Sequence, residues 1–341
     1  MAGIEESIED CGGMLQSDDI RTGFISGATF RNKPVQYSVV DGLAVFEGCI
    51  VLGQADEMEE ISRNVQSGDD AGSDVAHGIG ITGGQYRWPG GLMSYEVDPA
   101  LPNKSRVTDA IAHWTQNTSM RFLARTAANA GSYPNYVRFR PASGCWSQVG
   151  MRGGKQEIGL ANGCGVGATI HEIGHAFGLW HEQSREDRDR YVKILWQNIT
   201  AGREHNFNQH ISDGDDLEAY DYKSIMHYPT WGFSKNGQPT IETIPPGIPI
   251  GQRSELSAGD IAAIHSMYQL WHYNVQITRT YATHHSKNVW ESIAGLGWRR
   301  IKADSADGDT NTFMACCKAV SNQRRMDVLV DGSSLYRAQL R

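Results

Sequence analysis

The stretch that decides the reading is HEIGHAFGLWHEQSRED, His171 to Asp187. His171 and His175 stand four residues apart, so on a helix they share one face about one turn apart. Two ring nitrogens can then reach one ion. Gly178 follows, a residue able to take the left-handed conformation that closes a helix. The chain can turn back there, and His181 supplies a third imidazole. Three neutral imidazoles leave one position open for water, the arrangement of catalytic rather than structural zinc. Glu172, between the first two histidines, is the candidate base. It would take a proton from water acidified by the metal and later hand it to a leaving amine. The bland alternative is a helix with two incidental histidines; Gly178 and His181 weigh against it.

The extended pattern H-E-x-x-H-x-x-G-x-x-H is that of the metzincins, which also set a methionine turn beneath the metal. YDYKSIMHY, Tyr220 to Tyr228, offers that turn, with Met226 as its apolar floor. With these two blocks the chain resembles the astacin family of zinc endopeptidases. HEIGHAFGLWHEQSREDRDRYV fits the family's long zinc signature, including Glu182 directly after the third histidine. SIMHY fits its Met-turn, and FSKNGQPTI, IGQRSELSAGDIAAIHSMY and QYRWPGGLMSYEV fit as well. The resemblance spans residues 79 to 270.

The resemblance implies an α+β, two-lobed metzincin catalytic domain, with a long zinc helix closing the upper lobe above a cleft. It implies one Zn2+ per chain on His171, His175 and His181. Tyr228 is implied as a further ligand that swings off the metal and stabilises an oxyanion when substrate binds. The substrate would be a peptide or protein in extended form, laid as an added strand on the edge of the upper sheet. Glu182 would receive the ammonium of a mature N-terminus near Ile79, which relieves the cost of a buried unpaired carboxylate. Trp88 and Gly90-Gly91 match the family with structural roles only. Cys145 and Cys164 match one family disulfide, whose loop of about 20 residues is worth roughly 3 kcal/mol in the loop-entropy picture. The other family bridge is missing from both sides at once, because Ser119 and Leu270 stand where its cysteines would be.

Upstream, residues 1–78 read as a pro-segment. VQYSVVDGLAVFEGCIVLG has two β-rich runs around Asp41-Gly42, a strong hairpin signal. ADEMEEISRNVQ reads as a short helix. SGDDAGSDVAHG, Ser67 to Gly78, reads as an exposed, cleavable linker. The resemblance implies that a leader motif like F-x-G-D-I offers its aspartate to the zinc and blocks it. Here the corresponding stretch is FEGCI, with Cys49 in the aspartate's place. Thiolate is an excellent zinc ligand at about 2.3 Å. The expectation is a cysteine switch: Cys49 holds the metal in the latent form until an activating protease or autocleavage cuts near Gly78/Ile79. Burial of Cys49 as a strand core residue and pairing with Cys11 are the competing readings.

Residues 79–272 read as the peptidase domain and 273–341 as a small β-rich accessory domain. VWESIAGLGWRRIKA, TFMACCKAV and MDVLVDGSSLYRAQL read as short strands with turns. From residue 275 onward there are ten Lys/Arg against six Asp/Glu, although the chain carries a net charge of −8. Cys316-Cys317 are adjacent and pair with each other only with strain.

The acidic balance gives no hint of a nucleic-acid partner. No stretch approaches the roughly 20 apolar residues of a membrane span. The start has no basic or apolar signal region, so a signal has been removed or export uses another route. A disulfide-bearing latent protease suits a secreted or otherwise extracytoplasmic setting. Arg253 reads equally as a cation favouring acidic residues after the scissile bond and as an exposed structural arginine. Two rival functions are a binding protein with a vestigial metal site, against which the intact Glu172 argues, and a zinc hydrolase of esters or small amides.

Overall fold

The computed structural model describes residues 14–26, 30–67, 86–210, 216–268, 270–282, 289–301, 308–331 and 334–340. The chain divides into two compact units, Met1–Asp260 and Ile261–Arg341. The sequence boundary at 272/273 falls inside the first strand of the second unit, β12 (Leu270–Ala282). The cleavable linker and Cys11 lie outside the described residues.

The first unit mixes strands and helices, as expected. Its large sheet begins with four strands from the stretch read as a leader: β1 (Ile20–Ile25), β2 (Lys33–Val40), β3 (Leu43–Phe46) and β4 (Ile50–Gln54). The β2–β3 turn is the one read from the sequence. Val40 pairs with Leu43, and both Asp41 and Gly42 have positive φ, as a two-residue type I′ loop requires. The helix α1 (Ala55–Ser67) then packs Met58 and Ser62 inward. Five further strands follow: β5 (Leu92–Val97), β6 (Arg121–Ala124), β7 (Tyr136–Pro141), β8 (Trp146–Ser147) and β9 (Lys155–Leu160). The order across the sheet is β1-β2-β3-β4-β8-β9-β7-β5-β6. The leader therefore continues the sheet, joining it through Ile50, which pairs in parallel with Ser147 on β8. Val45, Val51 and Trp146 form an apolar cluster across this join.

Two helices cover the sheet. The helix α2 (Ser105–Asn117) buries Val107, Ala110 and Trp114 on its inner face. The helix α3 (Val166–Phe177) is buried along almost its whole length. Trp114 donates its indole N–H to Ile170 O at 3.1 Å and packs on Phe177. Trp88 donates likewise to Ala176 O at 2.8 Å, so this match to the family serves to hold α3. Gly178 ends the helix at φ 107, ψ 13, with its N–H turned back onto Gly174 O and His175 O. The disulfide Cys145–Cys164 spans Cα atoms 5.9 Å apart.

Beyond α3 the chain is irregular. It holds a two-stranded ladder, β10 (Val192–Ile194) with β11 (Ile241–Thr243), and a second core that includes Phe207, Tyr220, Tyr228 and Phe233. The helix α4 (Ala258–Met267) begins on a reciprocal cap in which Ser257 N–H donates to Asp260 and Asp260 N–H donates to the Ser257 hydroxyl.

The second unit closes β12, β13 (Val289–Ile293), β14 (Gly297–Ile301), β16 (Ser334–Leu340) and β15 (Arg325–Asp331) into a barrel in that order. One expectation fails here. TFMACCKAV is not a strand; it lies in the helix α5 (Gly308–Ser321). Its buried and half-buried residues Phe313, Cys316, Ala319 and Val320 follow the three-and-four spacing of a helix, which the apolar run concealed. Among the described residues, no helix is long and apolar enough to cross a membrane.

Replacing Gly178 with alanine is expected to lower stability by about 1–2 kcal/mol in denaturant unfolding, because Cβ is disfavoured in the left-handed conformation. An unchanged midpoint would remove the turn's dependence on glycine.

Candidate metal centre

His171 and His175 project from α3, and His181 arrives from the chain that Gly178 turns back. All three rings are buried. Each is fixed from behind. His171 donates Nδ1–H to Ile225 O at 2.8 Å, and His175 donates to Leu179 O at 2.7 Å. His181 donates to a carboxylate oxygen of Glu47 at 2.7 Å. With the proton held on Nδ1, each Nε2 keeps its lone pair, which is the metal-binding tautomer. Burial pushes all three imidazoles below their ordinary pKa and keeps them neutral.

The three Nε2 atoms meet a fourth donor. Cys49 Sγ lies 3.5 Å from His171 Nε2, 3.3 Å from His175 Nε2 and 3.2 Å from His181 Nε2. The two helix nitrogens are 3.1 Å apart. A tetrahedral zinc with ordinary bond lengths would separate sulfur from nitrogen by about 3.6 Å and nitrogen from nitrogen by about 3.3 Å. The donor set and its spacing therefore suit a zinc ion, and these four are the group among the described residues that could hold one.

The Met-turn lies where expected. A Cβ added to Gly174 on α3 would stand 2.8 Å from Met226 Sδ, so the methionine packs directly beneath the helix. Asp260 pins the turn, accepting from the Ser224 hydroxyl at 2.6 Å and Ile225 N–H at 2.9 Å. Arg253 supports the same turn: one of its nitrogens donates to Ile225 O, His227 O and Gln252 O. Half of the alternative raised for Arg253 is thereby visible, since this guanidinium is tied to the backbone beside the site.

Glu172 sits on α3 with one carboxylate oxygen buried and unpartnered. It lines a cavity of about 30 Å³ together with Cys49, His181, Tyr228 and Arg253, the volume of about one water molecule. Burial raises its carboxyl well above the usual range, with Arg253 opposing. A raised proton affinity is what a base facing water needs.

Tyr228 does not point at the cluster's centre. Its hydroxyl donates to the backbone carbonyl of Glu47 at 2.7 Å, while its ring packs on His181. Glu182 is half-buried, accepts from Asp221 N–H at 2.7 Å and has Arg185 3.7 Å away. Burial pushes its carboxyl up to about 8. The terminus expected to pair with it, near Ile79, lies outside the described residues.

The residue that sequence reasoning missed is Glu47. It is fully buried, and its carboxylate accepts three hydrogen bonds: from His181 Nδ1, from the Ser184 hydroxyl at 2.8 Å and from His210 Nε2 at 2.9 Å. Burial alone would raise its pKa, but His210 and His181 outweigh burial and hold it well below the usual carboxylate range. Gly48 lets the leader make this turn. Its φ is +69, and a Cβ there would approach Phe233 to 2.8 Å. The available signal was the lone charge in AVFEGCIVLG, since a carboxylate inside an apolar run must find partners.

A family model described as astacin, a peptidase family, matches residues 80–269. Blastula protease 10 of Paracentrotus lividus is 43% identical over 193 residues, covering 54% of this chain and 32% of that protein. Zinc metalloproteinase nas-6 of Caenorhabditis elegans is 42% identical over 191 residues, covering 54% of each. Among solved structures, high choriolytic enzyme 1, a hatching enzyme zinc-protease of Oryzias latipes, aligns with a TM-score of 0.48 and 35% identity. That alignment covers 53% of this chain and 92% of that one. The chain thus spans about a third of the length of the first of these curated relatives and about half of the second.

Glu47→Gln keeps the shape but removes the charge and one acceptor behind His181. Zinc affinity of the intact chain, measured by competition with a chelator, is expected to fall about 10–100-fold, as for other partners that orient a metal-binding histidine. Unchanged affinity would reduce Glu47 to a packing residue.

Proposed function

The chain belongs to the astacin family of peptidases, and on that premise we propose that it is a latent zinc endopeptidase whose leader is still in place. The observation that carries this reading is the convergence of three neutral imidazoles on Cys49, beside a small cavity lined by Cys49, His171, His181 and Glu172 with its unpartnered oxygen. In the active form His171, His175 and His181 would hold one zinc ion, with Tyr228 as a further ligand. Zinc bound there supplies a Lewis acid that acidifies water and polarises a carbonyl.

The remaining chemistry belongs to the chain's own residues. Glu172 takes the proton of the attacking water and returns it to the leaving amine. Tyr228, once freed from Glu47 O, can aim its hydroxyl at the oxygen that gains charge, where a fixed neutral donor is most effective. Met226 keeps the floor apolar. The edge of β8 accepts the substrate as an added strand. In the intact chain the leader occupies that edge: Ser147 N–H donates to Cys49 O at 2.9 Å. Leader and substrate therefore compete for one ladder as well as for one metal.

Latency follows as a cysteine switch. Cys49 is held at the cluster by the β8 ladder and by Glu47. Farther along the leader, buried Arg203 pairs with Asp18 at 2.9 Å. Cleavage near Gly78/Ile79, by another protease or by the enzyme itself, would free the leader. It would also create an ammonium for Glu182, whose half-buried, upshifted carboxyl would favour a cationic neighbour. The disulfide Cys145–Cys164 supports an extracytoplasmic setting.

Glu172→Gln is expected to lower kcat on an unfolded protein substrate by about 10²–10⁴-fold with zinc content unchanged, after leader removal. Retained turnover would end the endopeptidase assignment. For the switch, the zinc-edge X-ray absorption spectrum of the intact chain should show one sulfur beside nitrogen, and a Cys49→Ala chain should cleave substrate without processing. A nitrogen and oxygen shell, or a Cys49→Ala chain as latent as its parent, would assign latency to another cause.

A further inference from the structure

The barrel of the second unit carries a face that peptide hydrolysis does not use. Its strands run β12-β13-β14-β16-β15, with β15 pairing back to β12, β14 parallel to β16, and α5 between β14 and β15. This is the topology of the small OB-type barrels, which hold oligosaccharides or oligonucleotides against their second and third strands. Topology alone assigns no ligand; the side chains on those strands do.

Successive residues of a strand point to opposite faces. On β13 and β14 the buried residues are Glu291, Ile293 and Ile301, so Trp290, Ser292, Trp298 and Arg300 lie on the outer face. The ladder sets them side by side: Trp290 opposite Arg300, and Ser292 opposite Trp298. On β12, Tyr281 stands opposite Trp290 and Arg279 opposite Ser292. Two parallel rows result, Tyr281-Trp290-Arg300 and Arg279-Ser292-Trp298. Tyr281 and Trp298 are 51% and 45% exposed. Neighbouring strands lie about 4.8 Å apart and the two rows about 7 Å apart. The face thus carries three aromatic and two arginine side chains in adjacent register, with no carboxylate among its six positions.

We propose that this face binds an acidic oligosaccharide. Tyr281 and Trp298 offer flat apolar surfaces for the C–H faces of sugar rings, and Arg279 and Arg300 pair with uronate carboxylates in the planar geometry that guanidinium favours. The alternative polyanion for such a barrel is a single-stranded nucleic acid. Its affinity comes from many phosphate contacts at once, whereas this face offers two arginines among its six positions. Sparse charge beside broad aromatic surface favours the sugar. The proposal does not depend on the peptidase assignment, because it concerns another unit and is read out by binding.

The test is calorimetric titration of the full chain with tetragalacturonate, a neutral tetrasaccharide and a twelve-residue oligothymidylate. Tetragalacturonate is expected to bind more tightly than the other two. Trp298→Ala and Arg300→Gln should each weaken it about tenfold, in line with the loss of one stacking or charged contact. Trp298→Phe should retain most of the affinity, and thermal unfolding of all three variants should match the parent. No binding of tetragalacturonate, equal affinity for the neutral sugar, or tighter binding of the oligothymidylate would overturn the proposal. So would variants that fold normally and bind as the parent does.

Discussion

Three imidazoles converge on one point because each has its other ring nitrogen engaged from behind. Ile225 O, Leu179 O and the Glu47 carboxylate take the Nδ1 protons, and every Nε2 is left as an inward-facing acceptor. Most of the first unit serves to place those three oxygens. Asp260 and Arg253 hold the Met-turn, and with it the carbonyl of Ile225. Gly178 turns the chain so that Leu179 O faces His175. The indoles of Trp88 and Trp114 tie α3 to its surroundings, so both helix histidines are fixed before any ion arrives. A site assembled in this way loses little conformational freedom on binding a metal, which is the physical meaning of preorganisation.

The third oxygen differs in origin, because it belongs to the leader. Cys49 and Glu47 approach the same ring from opposite ends: Cys49 meets His181 at Nε2, and Glu47 meets it at Nδ1. A thiolate alone would compete with water for one coordination position. On the proposed cysteine switch, a sulfur beside a carboxylate that also orients His181 would couple the leader's departure to the geometry of the site itself. The backbone of the same turn occupies Tyr228 through Glu47 O, so one short stretch, Glu47 to Cys49, engages a ligand, the cluster's centre and the candidate oxyanion donor.

What could be read from the sequence was what local pattern encodes. The helix of His171 and His175, its glycine stop, the Asp41-Gly42 hairpin and α1 follow from spacing and turn chemistry over a few residues, and the structure contains each. Cys49 was legible only because a family motif marked its place, although the contact joins residues more than a hundred positions apart. Glu47 and Asp260 were not legible, since a buried carboxylate is defined by partners that arrive from distant segments. Residues 312–320 were misread for a related reason. A short apolar run with aromatic and sulfur residues fits a strand as well as a helix, and closure of the barrel around α5 decides between them. The barrel itself, with its parallel β14–β16 pair, depends on contacts that no local pattern carries.

In the proposed activation, loss of the leader would pose a problem that the geometry makes specific. When Glu47 leaves, His181 Nδ1, the Ser184 hydroxyl and His210 Nε2 lose a shared acceptor in a buried place, and each unsatisfied donor costs about 1–3 kcal/mol. Phe46 leaves with it, and its ring packs edge-on to Trp180 and His210. The vacated space is therefore polar at its inner end and apolar at its mouth. Water is the donor and acceptor at hand to fill the inner end, and one or two molecules there could take over the hydrogen bonds of the carboxylate. Water is neutral, however, and cannot supply the charge that Glu47 places behind His181. In the proposed activation His181 is thus the ring whose basicity would change, while the two helix histidines would keep their backbone acceptors.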